Sequence, residues 1–288
     1  MELRRKRFPR QARKHTNLSW LVTFIMVFTV AATFFSWGLE RTIFNIDFAQ
    51  QELKESGLRA EISKSLTTTL AAERPDFLGS DVNLLTESQI NKDVDLALKN
   101  FYADKQTIFD ANLIANQVGT NLDKYVANQS IISSNSEEYL SIKSALVTNI
   151  QENLTSQLTQ ASNLGEIQAS FIQAKQVIKT VFTVGFVTSL ILALILVLLQ
   201  GLRPFAWCYY WGLAGCWALI PSYLLLLLAD KYQVFIGTMS ASDKLLATGL
   251  SEILGDVLNS MQISALISMI VAISILVLGL IGMRLSGK

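Results

Sequence analysis

The side chains of this chain that are able to do covalent chemistry are few, and their placement is restrictive. There is one histidine, His15, and two cysteines, Cys208 and Cys216. Residues 40–180 hold neither type, which removes Ser-His-Asp and Cys-His nucleophilic systems and the usual zinc sites from that stretch. Carboxylates remain, as Asp93 with Asp95 and as Glu137 with Glu138. Two carboxylates suffice in principle to cleave a glycosidic bond. Asp93 and Asp95, however, point about 200° apart around a helix and do not converge. Glu137 and Glu138 follow Ser136, where acids favour a helix start. Both pairs read as exposed, charged faces. No phosphate-binding glycine loop occurs. The residues therefore predict a non-enzymatic chain with no catalytic, cofactor-binding or metal-binding residue.

The elements that would position any such group are set by four long apolar runs. A helix needs about 20 mainly apolar residues to cross a hydrocarbon core of about 30 Å. Transmembrane helices are expected over residues 18–39, 181–202, 205–229 and 261–283, none of which contains Asp, Glu, Lys, Arg or His. A water-soluble core helix would show a polar stripe at a period of 3.6 residues, and these segments do not. Ser36-Trp37-Gly38 offers small residues of the kind a signal peptidase prefers. The length of the first run, and Trp20 and Trp37 near its ends, instead predict an uncleaved anchor.

Charge orients these spans. Arg4, Arg5, Lys6, Arg7, Arg10, Arg13 and Lys14 crowd residues 1–17, Arg203 lies between the second and third spans, and Arg284 and Lys288 lie in the tail, residues 284–288. By the positive-inside rule these segments, and both termini, are cytoplasmic. The other side receives residues 40–180 and the loop 230–260. Glu40 to Lys179 carries 18 acids against 12 bases, and Asp230 to Ser260 four against two. A net charge of +1 thus hides a basic inside and an acidic outside. The basic leader is a topology signal that also suits anionic headgroups. Membrane lipid and a protein partner are the expected partners, and nucleic acid is not one.

The expected fold is an all-α membrane protein: four transmembrane helices with a helical extracytoplasmic domain between the first and second. In that domain Phe48, Leu53, Leu58, Ile62, Leu66 and Leu70 recur at helical spacing, interrupted at Gly57, before a turn-rich stretch holding Pro75 and Gly79. Thr86 and Gln89 form the pattern of a capping box, opening a helix with Ile90, Val94, Leu98 and Phe101 on one side. Asp110 caps the next, with Leu113, Val118, Leu122 and Val126 inward. Ser136 caps a third, whose apolar face is Tyr139, Ile142, Leu146, Ile150, Leu154 and Leu158, broken near Asn163 and Gly165. The loop 230–260 carries one amphipathic helix, capped by Ser242, with Leu246, Leu250, Ile253, Val257 and Leu258 on a face.

Within the spans the absence of charge argues against proton relays and voltage sensors. Two stripes of small residues stand out instead: Cys208, Gly212 and Cys216 in the third span, and Ser264, Ser268 and Ala272 in the fourth. Small faces let helices approach closely in lipid, and these are read as helix-packing candidates. Eight helical residues separate the two cysteines by about 12 Å, too far for a disulfide. Pro221 removes a backbone donor inside the third span, so a kink is expected there.

The stretch NIDFAQQELKESGLRAEISKSL, running on to INKDVDLALKNFYADK, resembles uncharacterised multi-pass envelope proteins of bacteria that carry a helical insert after the first span. The resemblance covers about the first 130 residues and implies that architecture without an activity. The order of spans is also similar in outline to permease subunits of the mechanotransmitting ABC type, which couple a cytoplasmic ATPase to an external domain. Residues 200–204 offer almost no cytoplasmic surface for such an ATPase. The expected function is a scaffold, regulator or sensor of the cell envelope. A subunit of a transport or export complex is the alternative, and a carboxylate-dependent envelope hydrolase stands third.

Overall fold

The computed structural model describes residues 11–74, 83–129, 136–160, 164–201, 203–239 and 244–286. Within these the chain is helical, and no strand occurs among the described residues. Several sequence expectations fall outside them: the basic leader up to Arg10, the Pro75–Gly79 turn, Asn163, Ser242 and Lys288. The side chains of Arg13, Lys14, His15, Leu158, Leu246 and Leu250 also lie outside the described set.

The chain divides into two compact units, Met1–Ile43 with Lys175–Lys288, and Phe44–Ala174. The first unit contains α1 (Gln11–Arg41), most of α7 (Leu164–Gln200), α8 (Pro204–Met239) and α9 (Lys244–Ser286). These four are long and apolar enough to cross a bilayer, which makes the chain an all-α membrane protein. The helices outrun the apolar segments that define them. At 1.5 Å per residue, the 43 residues of α9 extend about 65 Å, against a hydrocarbon core of about 30 Å. The separate amphipathic helix expected in the 230–260 loop is therefore not formed. α8 continues to Met239, and Ile253, Val257 and Leu258 belong to the leading half of α9. The apolar face expected there is retained, with Val257 and Leu258 buried and Ile253 half-buried.

The second unit holds α2 (Ile46–Glu55), α3 (Leu58–Ala72), α4 (Glu87–Tyr102), α5 (Ala111–Gln129), α6 (Glu137–Gln160) and the first turns of α7. Local chemistry fixes the helix ends. Asn45 caps α2 through its side-chain oxygen. Gly57, at φ 72°, supplies the left-handed residue that separates α2 from α3. Thr86 and Gln89 make the reciprocal bonds of a capping box on α4. Asp110 accepts from the Leu113 amide at 3.1 Å, and Ser136 from the Tyr139 amide at 3.3 Å. The far end of α4 closes in a Schellman motif: Asp104 takes φ 57° and the Lys105 amide donates to the Asn100 carbonyl at 3.0 Å.

One apolar core joins these helices. It contains Leu70, Leu84, Ile90, Val94, Ile114, Val118, Leu122, Tyr139, Leu146, Ile150 and Leu154. Two expected core positions point outward instead, Leu113 at 36 % exposure and Ile142 at 37 %. On α5 Ile114 and Ala115 are buried beside the expected positions, and on α6 the expected Tyr139, Leu146, Ile150 and Leu154 are buried. On α4 the inward face is shifted: Ala97 is buried, Leu98 and Phe101 are only half-buried, and two polar side chains, Asp93 and Asn100, turn inward.

Candidate functional site

Two constellations concentrate the unusual chemistry, one in each unit. In the membrane unit it is the contact between α8 and α9, whose backbones meet at glycines. A Cβ on Gly212 would lie 2.4 Å from the Leu276 amide nitrogen, and one on Gly279 would lie 2.5 Å from the Tyr209 amide nitrogen. Gly282 abuts the Phe205 ring, and Gly215 faces the Ala272 methyl at 2.8 Å. The pairing is antiparallel: as α8 advances from Phe205 to Gly215, α9 retreats from Gly282 to Ala272. No Cβ fits between backbones this close, so Gly212 and Gly279 must be glycine, while Ala272 is the small partner opposite Gly215.

Of the residues expected to form small stripes, Gly212 and Ala272 lie in this contact. Cys216 is buried and Cys208 half-buried, and both are free thiols. Ser264 and Ser268 are half-buried on α9. Pro221 sits inside α8, which continues unbroken through it, on an exposed side. The neighbouring Ser222 hydroxyl donates to the Ala218 carbonyl at 2.7 Å. Gly215, Gly279 and Gly282 belong to the contact but to neither expected stripe. Their signal was the repeated spacing of three, Gly212 with Gly215 and Gly279 with Gly282, which places each pair on one helix face.

The other membrane helices are joined by hydroxyls and amides. Ser189 donates to the Thr29 hydroxyl at 3.0 Å, tying α7 to α1, and Gln200 donates to the Ser19 hydroxyl at 2.7 Å. Gln262 on α9 reaches the Leu226 carbonyl on α8 at 3.3 Å. Gly185 lets α7 approach Thr33. A cluster of Val22, Met26, Leu196, Tyr210 and Ala214 packs beside them, with Trp20 edge-on to Tyr210.

In the second unit the polar groups gather on the faces of α4 and α5. Asp95 is engaged by Arg59 of α3. Asp93, two residues earlier, turns to α5 and accepts from Gln117 Nε2 at 3.1 Å. The two carboxylates thus serve different partners. Asp93 is not part of an exposed charged face as expected: it is only 7 % exposed. Burial raises its pKa above the ordinary aspartate value; the Gln117 bond opposes this and the charge of Asp110 adds to it. Next along, Asn121 donates to the Leu84 carbonyl at 2.9 Å and to Gln89 at 2.8 Å.

Asp123 on α5 shows the opposite balance. Burial acts to raise its pKa, but Tyr139 donates to it at 2.7 Å and Lys143 at 2.6 Å, and together they hold it below the usual value. The Tyr139 phenol is pushed up, first by burial and then by its bond to that carboxylate. Gln168, at the start of α7, is 5 % exposed and donates to the carbonyls of Asn100, Phe101 and Lys105 at 3.0–3.3 Å. It clasps the end of α4, beside a cluster of Phe44, Phe101, Tyr102 and Phe171. Burial raises the Tyr102 phenol to about 12. The groups of three or more His, Cys, Asp or Glu that would hold a metal ion do not occur among the described residues.

No family model, curated protein or solved structure matches the chain.

Proposed function

We propose that this integral membrane protein is a non-enzymatic component of the cell envelope, with residues 40–180 on the extracytoplasmic side acting as a scaffold, regulator or sensor for another envelope component. One observation carries the reading. The charged and amide side chains inside the helical unit are engaged in tying its helices together: Arg59 to Asp95, Gln117 to Asp93, Lys143 and Tyr139 to Asp123, Asn153 to Glu73. A unit built this way offers a shaped helical surface, and its carboxylates support that shape. The acidic balance of residues 40–179 and the basic balance of residues 1–17 support the orientation.

Two measurements test it on the full chain. Reporter fusions at Asp110 and Lys143 should read as extracytoplasmic and a fusion at the N-terminus as cytoplasmic; a cytoplasmic reading at Asp110 overturns the orientation. Purification in mild detergent should retain a cell-wall or division protein in fixed ratio, lost when exposed side chains of the helical unit are altered. Recovery of a stoichiometric ATPase or permease would replace the scaffold with the transport reading. Cleavage of cell-wall polymer by the purified chain would make it a hydrolase.

A further inference from the structure

Asp93 and Gln117 are joined by one hydrogen bond, from Gln117 Nε2 to Asp93 Oδ1. Each group keeps one oxygen outside that bond, Asp93 Oδ2 and Gln117 Oε1, that is buried with no donor. Both are acceptors, so neither can satisfy the other while the carboxylate is ionised. A carboxylic acid and a primary amide are complementary: the amide N–H serves one carboxyl oxygen and the acid O–H serves the amide oxygen. A single proton on Oδ2 supplies the donor that both orphans lack, and an unmet buried acceptor is costly.

The surroundings favour the same proton. The adjoining cavity, lined by Asp93, Ala97, Asn100, Phe109, Asp110 and Ile114, has a volume of about 10 Å³. That is about the least that admits one water, far from the hydration a carboxylate needs. The elements packed on α4 bring little compensating charge. α2 contributes the buried Glu52, α3 the Arg59 that Asp95 holds, the residue capping α5 the carboxylate of Asp110, and α7 the exposed Glu166. Among these, Asp110 is the one whose charge bears on Asp93, and it opposes ionisation.

We propose that Asp93 is a protonation switch at the joint between α4 and α5: it holds a proton on Oδ2 directed to Gln117 Oε1, beside Asp110, and losing that proton loosens the joint. The switch is a property of the helical unit alone and stands whether or not that unit binds an envelope partner. Its sign follows from linkage. A carboxyl whose folded pKa is raised contributes stability that is present below the unfolded value and is lost as pH rises through the folded value. Acid tightens the joint and alkali slackens it.

The full chain in detergent or nanodiscs allows the test. Infrared spectroscopy should show the carbonyl stretch of a protonated carboxyl at pH values where a free aspartate is ionised. The band should be absent from Asp93→Asn, whose amide reproduces the donor pattern of the protonated acid. Absence of the band from the wild-type chain, or its persistence in the variant, overturns the proposal. Melting temperatures should match at acid pH and diverge as pH rises through the midpoint of the band, with Asp93→Asn the more stable; a pH-independent difference also overturns it. Asp110→Asn keeps a capping side chain and removes the neighbouring charge, so it should move the midpoint to lower pH. An unmoved midpoint refutes the placement of the proton beside Asp110. If Asp93→Asn does not fold, the infrared titrations of the wild-type chain and of Asp110→Asn decide alone.

Discussion

The membrane unit and the helical unit are held together by opposite means. In the helical unit, large side chains such as Tyr139, Ile114, Leu122 and Ile150 fill the space between helices, and polar groups such as Asp123, Tyr139 and Lys143 bond from one helix to the next. In the membrane unit the most intimate contact, α8 on α9, is made where side chains are missing, at Gly212, Gly215, Gly279 and Gly282. The difference follows from the solvent. Removing apolar area from water contributes roughly 25 cal/mol per Å², so bulk is rewarded in a unit with a polar exterior. A leucine leaving lipid for a protein contact gains no such term, and close backbone packing with interhelical hydrogen bonds decides instead. Bulk is stabilising in one unit and excluded at the helix contact of the other.

The severest break of this contrast is a charge in the side-chain core. Leu146→Asp places a carboxylate in the apolar core that holds Leu122 and Ile150, while Lys143, one turn earlier, is held by Asp123. An unpaired buried charge costs roughly 3–5 kcal/mol, a large share of the ~5–15 kcal/mol stability of an ordinary domain. Helicity and protease resistance of residues 44–174 should fall while α8 and α9 stay intact, as read by limited proteolysis of the full chain. Unchanged melting would show that the Leu146 face is not core.

The second test inverts the chemistry. Gly212→Ala adds one methyl where the backbone of Leu276 stands, and a backbone cannot swing aside. Overpacking costs about 1–3 kcal/mol, and this site should fall at the upper end. Gly38→Ala is the control: its methyl would meet the terminal carbon of Met261 at 2.7 Å, the tip of a flexible chain able to move. Thermal stability in detergent should drop clearly for Gly212→Ala and little for Gly38→Ala. Equal losses would mean that the α8–α9 contact is not special.

Much of this architecture is legible in the sequence. The spans follow from uninterrupted apolar runs, and Thr86, Gln89, Asp110 and Ser136 carry capping chemistry that depends only on neighbours three residues away. Readings failed where distant partners decide. Leu113 and Ile142 have the right periodicity, but which edge of a helical stripe is covered depends on the helix opposite. A charge normally marks a solvated face, but the partner that lets Asp93 be buried, Gln117, lies on another helix. The small residues Cys208, Gly212 and Cys216 recur at a spacing of four, whereas the contact follows a spacing of three from Gly212 to Gly215. The clasp of Gln168 on α4 joins residues far apart in the chain and leaves no local pattern.

Smaller effects sharpen the picture within the helical unit. Thr86→Ala removes one half of the capping box on α4 and should cost about 1 kcal/mol. Hydrogen exchange should quicken in the first turn of α4 and not at its clasped end; uniform change along the helix would contradict a local cap.

The smallest effect sets one aspartate against another. Asp123 has a folded pKa below its unfolded value, through Lys143 and Tyr139, whereas burial holds Asp93 above its own. For Asp123 the stabilising contribution is present above the unfolded value and is lost as pH falls through the folded value. The Asp123–Lys143 pair is partly exposed, so its worth at neutral pH is at most ~1 kcal/mol. Asp123→Asn should therefore lower the melting temperature slightly at neutral pH and not at all in strong acid. Asp93→Asn should do the reverse, matching the wild-type chain in acid and exceeding it as pH rises. The two pH profiles of stability, measured against the same wild-type chain, must slope in opposite directions; parallel slopes would show that the carboxylates on α4 and α5 share one environment rather than two.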